Sequence, residues 1–121
     1  MALTLSTEAQ ILLAIGQNAS ATQISGANVE IWGLIAESDM ETQMGDNVGL
    51  VANYAGITAA NKQWLAGVAS HRAAFYAINQ NQNSWDLATT QSKLNVCDAT
   101  WQGFLSDLKA KKADIIADLA L

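Results

Sequence analysis

Proline is absent from all 121 residues, although average usage of about 5% would place about six in a chain of this length. Proline removes a backbone donor and breaks helix interiors. Its absence leaves every segment free to be helical, and Ala, Leu, Gln and Lys all favour that state. The expectation is an all-α fold: a small bundle of about four helices in a single domain, residues 1–121. A domain of this size buries roughly two-thirds of the surface its unfolded chain exposes, enough for an ordinary core without disulfide or metal staples.

Punctuation along the chain bounds the helices. Ser6-Thr7-Glu8 reads as a helix start, with a hydroxyl to cap free amides and an acid near the positive dipole end. Ile11, Leu12 and Ile15 follow on one side, and Gly16 is the stop. Residues 17–26 are small and polar and read as a loop. A second helix is predicted from about Ala27 to Met44, with Ser25 or Gly26 at its cap and Gly45 after it. Val29, Trp32, Ala36 and Met40 form its apolar stripe, widened by Ile31, Leu34 and Ile35. Glu30, Glu37 and Glu41, at spacings of seven and four, share a face that is expected to be solvated. Residues 45–57 hold three glycines among Val48, Leu50, Val51 and Tyr54, which predicts a partly ordered loop or a short hairpin.

The third helix should run from about Ala59 to Gln80 with Thr58 as cap. Trp64, Leu65, Val68, Phe75 and Tyr76 make a broad apolar side. Ala66, Ser70, Ala73 and Ala77 make a second stripe of small residues. A helix apolar on one side and small on the other is usually buried on both, so it is either the central helix of the monomer or a contact between subunits. After the polar linker Asn79–Asn83, Ser84 is expected to cap a long last helix with Asp86 in its first turn. Leu87, Leu94, Trp101, Leu108 and Ile115 recur every seven residues there. Cys97, Phe104, Leu105 and Leu119 widen that stripe. One apolar position per heptad is too few for a coiled coil.

Charge is scarce, at 14% against a typical ~25%, and nine Asn and nine Gln stand in its place. An amide-rich surface is less costly to desolvate than a charged one, which suits a protein held in an assembly. The net charge of −5 argues against a duplex nucleic-acid partner, which needs a basic footprint. Residues 1–61 hold six acids and no Lys or Arg, whereas residues 62–121 hold five acids and six basic residues. That polarity favours head-to-tail contact between copies. It would set Glu37, Asp39, Glu41 and Asp46 against a neighbour's Lys109, Lys111 and Lys112. The alternative is that the acids form a solvated face and the lysines merely complement the negative end of their helix.

Catalytic and metal-binding patterns are missing from the sequence. Cys97 and His71 are the only cysteine and histidine. They fall on different predicted helices with no third group to orient a base, and each is explained by its place beside an apolar stripe. A zinc site needs about four ligands. The acids between Glu37 and Asp46 lack the alternation of a calcium loop. No phosphate-binding loop, serine elbow or dinucleotide fingerprint occurs, so no cofactor is expected. One cysteine excludes an intrachain disulfide and favours a reducing compartment. The short run Ile11–Ile15 follows Glu8 without a basic start, so no secretory leader is expected, and no apolar stretch approaches the ~18 residues of a membrane span.

The order of elements has a counterpart. A short capped helix is followed by one opening Asn28-Val29-Glu30-Ile31-Trp32 and continuing to Ala36-Glu37-Ser38. An irregular middle precedes a helix beginning Lys62-Gln63-Trp64-Leu65, and the long last helix ends in lysines. This pattern resembles the small helical adaptor proteins of tailed bacteriophages, which form a ring beneath the portal and join head to tail. The resemblance implies a structural virion protein made in the host bacterial cytoplasm. It would form a dodecameric ring contacting the portal protein on one side and neck or tail proteins on the other, with no cofactor and no catalytic residues. Two other classes remain open: a different helical protein–protein interaction module, such as another virion component or a small regulator, and a ligand-binding helical bundle.

Overall fold

The computed structural model describes residues 3–16, 19, 21–45, 48–80 and 85–119, with Ala21 and Thr22 followed by backbone alone. Its α-helices are α1 (Glu8–Ile15), α2 (Ala21–Ile24), α3 (Gly26–Met44), α4 (Ala59–Gln80) and α5 (Leu87–Leu119), with a 3₁₀ turn at Tyr54–Gly56. The fold is an all-α bundle in which α4 packs against α1, α3 and α5, so the third predicted helix is the central one.

Local chemistry sets the ends of these helices. Thr7 and Gln10 form a reciprocal capping box: the Gln10 amide donates to Thr7 Oγ1 at 3.2 Å and the Thr7 amide donates to Gln10 Oε1 at 2.8 Å. The far end of α1 is closed by Lys93 of α5, whose ammonium donates to the Ile15 carbonyl at 2.8 Å. Such a cation satisfies a free carbonyl and meets the negative dipole end. Ser25 caps α3 by backbone position without a side-chain bond. Gly45 ends α3 at φ 97, a conformation in which a side chain would be strained.

Three expectations need correction, and the middle segment takes the loop alternative rather than the hairpin. Part of the 17–26 loop is helical, as α2. Residues 48–57 are a run of turns closing in the 3₁₀ turn, and no strand occurs among the described residues. Hydrogen bonds from the Val51 amide to Glu41 Oε1 (2.9 Å) and from Asn53 Nδ2 to the Val48 carbonyl (2.8 Å) hold the turns, while Val48, Leu50 and Ile57 reach the core. The cap of α5 is Asp86, whose Oδ1 accepts from the Thr89 amide at 2.7 Å; that bond holds its carboxyl below the usual range. Ser84 lies outside the described residues. Finally, the α5 stripe starts at Leu94, because Leu87 is 74% exposed.

Two apolar clusters fill the bundle. One gathers Met40, Met44, Leu65, Val68, Trp101, Phe104 and Ile115 with Leu5 and the middle segment. Trp101 stacks on Phe104 at 4.9 Å between ring centroids, and Trp64 stacks on the same ring at 5.3 Å. The other gathers Ile11, Ile15, Val29, Ala36, Ala73, Ala74, Ala77, Ile78 and Cys97. Gly33 belongs to the inner side of α3 because a Cβ there would come within 2.4 Å of Leu3 and 3.0 Å of Ile11. The missing side chain lets α1 and the N-terminal segment approach α3.

Candidate interaction surfaces

The acids of α3 are drawn into the fold. Glu37, expected on a solvated face, is 4% exposed, and its Oε2 accepts the Thr4 and Leu5 amides at 2.8 and 3.0 Å. Burial pushes its carboxyl up, the two backbone donors pull it down, and nearby Glu41 adds a small upward push. It anchors the N-terminal segment to α3. Glu41 holds the Val51 amide. Asp39 pairs with Arg72 Nε at 3.1 Å and accepts the Tyr76 hydroxyl, which together with burial raises the Tyr76 pKa. The Arg72 guanidinium in turn lies 4.2 Å over the Trp101 ring, so α3, α4 and α5 are tied at one point. Asp46 lies outside the described residues.

The lysines of α5 remain at the surface but do not form one patch. Lys109 is exposed and Lys112 half-buried, three residues apart and hence on neighbouring positions. Lys111 lies across the helix, its ammonium 5.4 Å over the Trp64 ring. The small-residue stripe of α4 also divides. Ala73 and Ala77 are fully buried in the monomer core. Ser70 is buried with its hydroxyl donating to the Gly67 carbonyl at 3.1 Å. Ala66 is half-buried and faces a groove.

That groove, of about 530 Å³, runs between α1 and α4. Gln10, Leu13 and Ala14 form one wall; Lys62, Gln63, Ala66, Gly67, Ser70 and His71 form the floor and the other wall, and Tyr54 closes one end. Leu13 stands at the rim, 82% exposed. Lys62 rests over the Tyr54 ring at 4.8 Å. His71 Nδ1 meets the Gly67 carbonyl at 2.8 Å; a carbonyl only accepts, so Nδ1 is the donor. Among the described residues the lining contains no carboxylate.

The groove's residues do not assemble a nucleophile, base and orienting group. Cys97 sits in the α1/α3/α4 core, and burial pushes its thiol up to about 11, so it is a protonated apolar filler at neutral pH. Among the described residues no three His, Cys, Asp or Glu gather into a metal-binding group, and no helix is long and apolar enough to cross a membrane. What the surface does offer is apolar area. Ile31 and Ile35, expected to widen the α3 stripe, are 54% and 41% exposed. They lie across the helix from Val29, Gly33, Ala36 and Met40, four of the residues it buries. Their spacing from Val29 and Met40 carried that signal in the sequence, whereas nothing in the sequence pointed to the groove, which needs α1 laid against α4.

Comparison with known proteins finds no matching family model, no matching curated protein and no matching solved structure.

Proposed function

We propose that this chain is a structural adaptor of a tailed-bacteriophage virion, made in the host cytoplasm, that forms a ring between the portal protein and the neck or tail proteins. The observation that carries the reading is the large apolar side chains left at the surface of a chain poor in charge: Leu13, Ile24, Ile31, Ile35, Leu87 and Val96 are all more than 40% exposed. Scattered exposed apolar residues are ordinary; pairs aligned on one helix face or set at the rim of a groove suit contact with protein. The helix order and the segments Asn28–Trp32 and Lys62–Leu65 supply the choice of adaptor among contact proteins. Each subunit contact would be modest, so the free protein is expected to be largely monomeric at micromolar concentration. A portal would gather copies at high effective concentration and let the ring close. A second reading, a module that binds one protein partner, rests on the α1/α4 groove.

Electron microscopy of the protein mixed with portal rings tests the proposal. A ring of copies seated on the portal is the expected result. Absence of binding, or a stable twofold dimer that leaves the portal bare, would overturn it.

A further inference from the structure

We infer that residues 3–6 form a strap that opens from α3 while the helices stay folded. They are bends without a backbone–backbone hydrogen bond among the described residues, so no helix or sheet ladder holds them. Their attachments are two leucines and one carboxylate. Leu5 is 1% exposed in the cluster of Met40 and Met44, and Leu3 packs against the other cluster, over the missing side chain of Gly33. Glu37 Oε2 accepts both the Thr4 and the Leu5 amides. The two bonds end on one atom and are lost together when that atom moves away.

Two polar groups under the strap oppose its closure. Glu37 is buried, and burial raises its carboxyl above the ordinary value although two amides pull it down. Among the described residues no cation pairs with it; Arg72 goes to Asp39 instead. Ser6 is 4% exposed, and its hydroxyl is the one buried side-chain polar atom without a hydrogen-bond partner among the described residues. A buried hydroxyl with no partner keeps the full cost of leaving water. Lifting the strap returns both groups to water, which offsets part of what exposing Leu3 and Leu5 costs. The bundle beneath has its own cohesion, since α1, α3 and α4 hold one another through Ile11, Ile15, Val29, Ala73 and Ala77, none of which belongs to the strap. Opening is therefore local, as for other segments held by few contacts. It bares a strip of α3 where Gly33, Glu37 and Met40 stand about a turn apart on one face. The inference goes beyond the adaptor reading and does not depend on it.

Amide hydrogen exchange on the full chain tests it, followed residue by residue by NMR at fixed pH. The Thr4 and Leu5 amides should be protected relative to a free chain, yet exchange at least about a hundredfold faster than the Ala69 and Ala73 amides inside α4. Low denaturant should leave the strap's rates nearly unchanged while it speeds those of α4, because opening the strap exposes little surface. Ser6→Ala removes the unpaired hydroxyl and leaves the Thr7 cap in place, so it should slow exchange at Thr4 and Leu5 by about tenfold. Strap amides that exchange at the α4 rate with the α4 denaturant dependence overturn the inference, because the strap then opens only with the whole bundle. Exchange at the free-chain rate also overturns it, since the strap would then not be closed. So does unchanged or faster exchange in Ser6→Ala, which would mean that the hydroxyl does not oppose closure.

Discussion

The small residues of α4 meet two different fates along one helix. At its C-terminal half Ala73 and Ala77 are sealed, because Ile11, Ile15, Val29 and Ile78 supply the bulk that alanines lack. At its N-terminal half Ala66 and Gly67 look into a groove, because the α1 residues opposite are Gln10, Leu13 and Ala14, and Leu13 turns outward. A small side chain thus does not decide whether its position is core or contact; the neighbouring element decides, by filling the space or leaving it. In this chain the same stripe stabilises the monomer at one end and lines an open groove at the other.

That comparison can be broken by substitution. The largest effect should come from the aromatic cluster on which the buried side of α4 depends. Trp101→Ala removes the ring that stacks on Phe104 and carries Arg72, and should cost about 3–5 kcal/mol, the usual range for emptying a large buried aromatic site. A melting temperature within a degree or two of wild type would show that the cluster is not a cohesive core. Next in size is Ala73→Leu, which forces extra volume into a site with no exposure and should cost about 1–3 kcal/mol by denaturant titration.

Smaller again is the effect of Glu37→Gln, read through pH. The Glu37 carboxyl titrates above its ordinary 4.5 in the folded protein. The folded state therefore holds the proton more tightly than the unfolded one, and this contribution is fully present below 4.5 and is lost as pH rises through the folded value. Wild type should lose stability relative to Glu37→Gln across that window, while the glutamine oxygen still accepts the Thr4 and Leu5 amides. Parallel stability curves for the two proteins would contradict the buried anchor. The smallest effect on folding belongs to Ala66→Leu, within about 0.5 kcal/mol as for surface positions in general, because the added side chain enters the open groove.

Much of the fold was legible because its signals are local. The hydroxyl start at Ser6-Thr7, the glycine stops at 16 and 45 and the bounds of α4 follow from residue types within a few positions of one another. The long-range pairings were not legible. Glu37 looks like a solvated acid until the N-terminal segment is laid across α3 to give it two amide donors, and Arg72 has no visible partner until α3 brings Asp39 and α5 brings Trp101. The charge polarity of the sequence likewise overstates the acidity of the surface, since Glu37, Asp39 and Glu41 all hold bonds inside the molecule. For the candidate surfaces, the division of the Ala66–Ala77 stripe depends on where α1 lies. The outward turn of Ile31 and Ile35 was encoded in their spacing from Val29, Ala36 and Met40, but hydrophobicity alone had drawn them to the core.

The central claim is that the exposed Ile31–Ile35 face of α3 and the α1/α4 groove are contact surfaces whereas the aromatic cluster is purely internal. Hydroxyl-radical footprinting of the free protein and of its assembly on portal rings tests it directly. The account expects Leu13, Ile31 and Ile35 to be oxidised in the free chain and protected in the assembly, with Trp101 and Phe104 protected in both. Undiminished oxidation of Leu13 and Ile31 in the assembled ring would contradict it.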